Sequence, residues 1–104
     1  MKTTEINLGP LDKISLGHGL CYVVEGVDVA VFRSRSGQIF AIENRCPHRN
    51  GPLAEGIIDG QYVVCPLHGH KFNLATGDGL EKGECVRTFK AWEKDKNIFI
   101  EYTK

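Results

Sequence analysis

Cys46-Pro47-His48 and Cys65-Pro66-Leu67-His68 lie sixteen residues apart, and each motif offers one thiolate and one imidazole rather than two donors of one kind. Such mixed pairs suit a [2Fe-2S] cluster in which one iron is held by two Cys and the other by two His. Each of two facing loops then supplies one ligand to each iron. Thiolates are soft, negatively charged donors that stabilise the ferric state, whereas neutral imidazoles leave their iron electron-poor, so an added electron settles on the His-bound iron. Two ferric ions, two sulfides and two thiolates cancel formally, so the oxidised centre is neutral and reduction gives it one negative charge. That charge should raise the pKa values of His48 and His68. A tetrahedral zinc ion also accepts two Cys and two His. Its usual pattern pairs Cys with Cys and His with His, an order this chain does not follow. The alternative reading is therefore a non-redox binding module with zinc in its loops, and it predicts a colourless protein.

Loops that carry such ligands need a stiff base. Short β-branched or aromatic runs, punctuated by Gly and Asp-Gly turns, predict an all-β fold. The strands are expected over 5–8, 20–24, 27–33, 38–42, 62–65, 71–73, 88–93 and 97–102. Val27, Val29 and Val31 share one face of their strand, and Asp28, Ala30 and Phe32 the other. Ser34-Arg35-Ser36-Gly37 closes one hairpin and Lys94-Asp95-Lys96 another. A single helical turn over 10–14 is the one helix expected. Cys21 and Cys85 fall in strand-like sequence and read as reduced, buried packing residues, with a redox or structural pair as the alternative. Phe89 and Trp92 read as core rather than as an electron relay. There are no repeats, low-complexity tracts or linkers.

Cys-Pro-His-Arg-Asn-Gly-Pro-Leu-Ala-Glu-Gly (46–56) and Cys-Pro-Leu-His-Gly-His-Lys-Phe-Asn-Leu-Ala-Thr-Gly (65–77) resemble the two cluster loops of the Rieske [2Fe-2S] ferredoxin family, and the similarity extends over about residues 20–102. The resemblance implies Cys46 and Cys65 on one iron, His48 and His68 on the other, and one cluster per chain. It implies an antiparallel β-sandwich, with residues 1–104 as one Rieske-type domain and a cluster-binding subdomain inserted at about 44–73. Pro47, Pro52 and Pro66 would fix φ near the ligands. Gly51, Gly56 and Gly69 would let the backbone approach the sulfides. Respiratory relatives brace their loops with a disulfide at the positions held here by Gly51 and Leu67, so no brace can form. They also place a Ser donor where this chain has His70. Without brace or Ser, the expected potential is near the lower end of the Rieske range, about −150 mV. His70 is left as a docking residue, a solvent-facing donor or a filler of the loop.

At 104 residues and 11.6 kDa the chain has room for one modest core and no evident second active site. Rieske oxygenases add a domain with mononuclear iron, so this chain is expected to carry electrons to such chemistry rather than perform it. It offers no nucleophile or general base that would make it a complete enzyme alone. Thirteen basic and thirteen acidic residues balance, which supplies no global field toward nucleic acid or an anionic membrane. No run of 18 apolar residues occurs, and the first ten residues lack a signal-peptide stretch, so a cytoplasmic protein is expected.

Partner choice must then be local. Arg45, Arg49, His70 and Lys71 bracket the ligands and would form a basic rim that favours an acidic partner. Two carriers are compatible. Residues 30–48 and Cys85-Val86-Arg87-Thr88-Phe89 look especially like the small subunit of an assimilatory nitrite reductase, which would join a large subunit containing sirohaem and flavin. The alternative is a soluble ferredoxin that passes electrons from a flavin reductase to a terminal ring-hydroxylating oxygenase.

Overall fold

The computed structural model describes residues 3–45, 52–67, 69–80 and 83–103. Among them the strands are β1 (Thr3–Pro10), β2 (His18–Val24), β3 (Val27–Arg33), β4 (Ile39–Glu43), β5 (Ile57–Asp59), β6 (Tyr62–Val64), β7 (Lys71–Asn73), β8 (Thr88–Lys94) and β9 (Asn97–Thr103). A six-stranded antiparallel sheet runs in the order β1-β9-β8-β4-β3-β2, and a three-stranded antiparallel sheet in the order β5-β6-β7.

Tight turns set the register. Glu25 and Gly26, with φ of 52° and 78°, join β2 to β3 through the pair Val24↔Val27. Asp95 and Lys96, with φ of 52° and 64°, join β8 to β9 through Lys94↔Asn97. Two successive positive φ angles match the right-handed twist of the flanking strands. The predicted Ser34–Gly37 connection is a real loop: Ser34 Oγ accepts the Gln38 amide at 3.0 Å, and Gly37 N donates to Ser34 O at 2.9 Å.

The expected strands are all present, with ends shifted by one or two residues. β5 was not anticipated, because Ile57–Asp59 offers only three residues inside the expected cluster-loop region. The expected helical turn is a 3-10 turn at Leu11–Lys13, and a second one, Leu53–Glu55, corrects the expectation of a single turn. Leu53 and Ala54 drive it by burying their side chains.

The two faces of β3 enter different cores. Val29 and Val31 pack with Ile14, Ala41, Phe89, Ile98, Ile100 and Tyr102. Ala30 and Phe32 pack with Ile42, Leu53, Ile58, Val63, Phe72 and Leu74, together with Cys65. The small sheet is therefore seated on the large one through continuous apolar packing.

Candidate cluster site

β6 ends at Val64 and β7 starts at Lys71, so the second motif must reverse the chain between them. The reversal is closed by its own backbone: Cys65 N donates to His70 O at 2.7 Å, and Gly69 N donates to Cys65 O at 3.0 Å. Gly69 takes a φ of 72°, the left-handed conformation that such a turn demands and that side-chained residues adopt at a cost. Cys65 is 1% exposed, within the core shared with Phe72 and Leu53. Pro66 and Leu67 stand at the exposed tip. Cys65 lines a mostly apolar hollow with Glu55, Gly56, Ile57, Val64, Pro66 and Gly69. A buried thiol at the edge of such a hollow, on a turn locked by two backbone hydrogen bonds, fits the donor that an iron-sulfur cluster needs.

The other three sequence-derived ligands, Cys46, His48 and His68, lie outside the described residues, as do Pro47, Arg49 and Gly51. The ends of the first loop are nonetheless tied together. Asn44 N donates to Asp28 O at 2.9 Å, and the Asn44 Oδ1 accepts the Ala54 amide at 2.7 Å. One side chain thus bridges the chain before Cys46 to the chain after Pro52. Sequence reasoning missed Asn44; its signal was an Asn immediately before a Pro-rich loop, a residue type that bonds nearby backbone.

Gly56 has another reason to be small than the one expected. Its φ is −76°, and a Cβ there would collide with the Val64 carbonyl oxygen, so its smallness permits the 3-10 turn to cross β6.

The basic rim is corrected as well. His70 Nδ1 lies 2.8 Å from Glu84 Oε1, and Lys71 Nζ lies 3.0 Å from Asp59 Oδ2. Two of the four expected rim cations thus already face carboxylates. Arg45 is exposed, and Arg49 lies outside the described residues. His70 is a half-buried partner of Glu84 rather than a solvent-facing donor. Glu84 had no signal in the sequence, since fourteen positions separate it from His70.

Cys21 and Cys85 are free thiols, as expected, but both are exposed. Cys21 alternates with Tyr22 and Val24 along the edge strand β2 and shares the face of its cross-strand partner Ala30, but is exposed at the margin of that face. Phe89 is core, stacked on Tyr102 at 6.0 Å under the Arg87 guanidinium. Trp92 belongs to neither core; it stacks on its cross-strand neighbour Phe99 at 6.1 Å. Among the described residues no helix is long and apolar enough to cross a membrane.

A family model described as a Rieske-like [2Fe-2S] domain matches residues 6–101. The 4β-methylsterol monooxygenase of Methylococcus capsulatus is 48% identical over 48 residues, 46% of this chain, but the match spans only 13% of that enzyme. The 3-phenylpropionate/cinnamic acid dioxygenase ferredoxin subunit of Photorhabdus laumondii is 38% identical over 76 residues, 70% of this chain and 71% of that one. Among solved structures, the ferredoxin of carbazole 1,9a-dioxygenase from Nocardioides aromaticivorans superposes with a TM-score of 0.85 at 26% identity, covering 93% of this chain and 96% of that one. A nitrite reductase NADPH small subunit superposes with a TM-score of 0.84 at 25% identity, covering 93% and 97%.

Proposed function

The chain belongs to the Rieske-like [2Fe-2S] domain family, and from that premise we propose that Cys46 and Cys65 hold one iron of its cluster and His48 and His68 the other. Membership gives the chain a single [2Fe-2S] cluster and a role in electron transfer. Bound there, the cluster takes up and releases one electron at a time. The chain's own residues would seat it. The observation that supports the ligand set is Cys65, a buried thiol on a turn locked at 2.7 and 3.0 Å. The proposal includes organisation: residues 1–104 act as one domain, with a cluster-binding subdomain at about 44–73.

The finer reading is the small subunit of an assimilatory NAD(P)H nitrite reductase, working in the cytoplasm against a subunit that contains sirohaem and flavin. It is supported by the runs 30–48 and 85–89 and by the likeness, at 25% identity, to a nitrite reductase small subunit. The second reading, a ferredoxin between a flavin reductase and a terminal oxygenase, is favoured by the 38% identity to a dioxygenase ferredoxin subunit.

Two measurements test these statements. Cys65→Ser should lose the rhombic electron paramagnetic resonance signal of the dithionite-reduced protein together with most of its iron and sulfide, while Cys85→Ala keeps both. A Cys65→Ser protein with the wild-type spectrum and metal content would remove Cys65 from the ligand set. For the partner, reduced protein is mixed rapidly with each candidate acceptor. Reoxidation by the sirohaem- and flavin-containing subunit alone is the expected result; reoxidation by a ring-hydroxylating oxygenase alone installs the ferredoxin reading instead.

A further inference from the structure

We propose that Glu84 is a positioning residue for the second cluster loop and acts through His70, an inference that rests on Cys65 and His68 being ligands. His70 closes that loop, because its carbonyl accepts the Cys65 amide at 2.7 Å. Its ring is held as well: Nδ1 lies 2.8 Å from Glu84 Oε1, with the two side chains 20% and 16% exposed. A carboxylate can only accept, so Nδ1 carries the proton and donates it. Half-buried and charge-assisted, this bond is stronger than an exposed pair such as Lys71–Asp59, whose side chains are 39% and 65% exposed.

Glu84 can serve as an anchor because its own backbone is pinned. Its carbonyl accepts the Gly79 amide at 2.9 Å, and Val86 N, two residues on, donates to Gly77 O at 2.8 Å. Gly79 and Leu80 lie along β7 through the bridge Phe72↔Gly79 and through Leu80 N donating to Lys71 O at 3.0 Å. Val86 is buried in the same core as Cys65 and Phe72. Glu84 is therefore tied to β7 through Gly79, and it grips the residue at which the ligand loop enters that strand. The turn from Cys65 to His70 cannot open while both the ring and the carbonyl of His70 are held. This takes the place of the disulfide brace that Gly51 and Leu67 preclude, on one side of the cluster.

Removing a hydrogen-bond partner of a ligating side chain typically costs about 10- to 100-fold in metal affinity or activity; Glu84 acts one residue further out, through His70, so the lower end of that range is expected. The test uses the cluster-loaded full chain as wild type, Glu84→Ala and Glu84→Gln. It reads the g-values and line widths of the reduced protein, its reduction potential and the rate of cluster loss to a chelator, with urea unfolding as the control for global stability. Glu84→Ala should lose its cluster about tenfold faster and show broadened, shifted g-values, whereas Glu84→Gln, whose amide oxygen still accepts from His70, should return both to within about twofold of wild type. A Glu84→Ala protein with wild-type line shape and loss rate overturns the proposal, and so does a Glu84→Gln protein as impaired as Glu84→Ala. If Glu84→Ala does not fold, His70→Leu should give the same signature, and a wild-type signature from it is equally fatal. A wild-type protein without the rhombic signal would be a different failure, that of the ligand assignment itself.

Discussion

Tyr22 shows how one atom can shape the behaviour of the chain. Its hydroxyl is buried and has no hydrogen-bond partner among the described residues, and burial pushes the phenol above its ordinary value of 10.0. The unfolded chain then releases this proton at a lower pH than the folded one. Above pH 10 the folded state binds more protons than the unfolded state, so the stability that Tyr22 contributes is complete below pH 10 and declines as the pH rises beyond it. Tyr22→Phe should remove that alkaline decline. It should also raise stability at neutral pH by about 1 kcal/mol, since a buried hydroxyl without a partner is unfavourable. Urea midpoints of both proteins at neutral pH and above pH 10 check this; equal alkaline losses in the two would contradict it. Cys65 presents another buried group, a thiol held on a turn closed by two backbone hydrogen bonds, the setting from which we propose that it holds iron.

At the scale of elements, turns and edges decide more than strand propensity. The β8–β9 hairpin bends through Asp95 and Lys96, both in the left-handed region at 52° and 64°. Side-chained residues adopt that conformation at a cost of about 1 kcal/mol or more, and two-residue hairpins favour Gly at the second position. Lys96→Gly should therefore raise the unfolding free energy by roughly 0.5 kcal/mol, after the entropy of Gly in the unfolded chain is deducted. A lower denaturation midpoint for Lys96→Gly would show that the Lys96 side chain contributes more than its backbone strain. Most of the connections were legible because their chemistry is local: Ser34 to Gly37 and Lys94 to Lys96 marked themselves by residue type. β5 and the turn at Leu53–Glu55 were not, since three-residue elements carry no periodicity and form because their apolar side chains find the face of β3.

On the scale of the whole molecule, the two cores divide the labour. One unites all six strands of the large sheet and has no member from the small sheet; the other joins the opposite face of β3 and β4 to the small sheet. Removal of the cluster should loosen the second and spare the first. Hydrogen exchange on the apo protein should show amides of Val29, Val31, Ile98 and Ile100 still protected, and those of Cys65 to Asn73 exchanging at least about tenfold faster than in the loaded protein. Uniform loss of protection in all strands would mean instead that the cluster holds the entire fold together. The balanced charge of the chain and the internal pairing of His70 and Lys71 both leave its cluster face less basic than the sequence alone suggests.

The sequence by itself determined the all-β class and the hairpin positions, and it supplied the donor set proposed above and the expectation that no disulfide braces the loops. Each depends on residue type and short spacing: Cys and His at two motifs, turn residues between β-branched runs, Gly51 and Leu67 where a brace would stand. Tertiary structure alone decided the rest. Alternation in β3 showed two faces but could not say that both are buried, because the covering residues, from Leu53 to Val86 on one side and Ile98 to Tyr102 on the other, come from distant parts of the chain. Strand-like sequence around Cys21 and Cys85 suggested burial, yet Cys21 lies exposed on an edge strand. His70 and Lys71 read as free cations until folding brought Glu84 and Asp59, fourteen and twelve positions away, within 3.0 Å of them. Such pairings follow no local period, since they depend on where the small sheet settles on the large one.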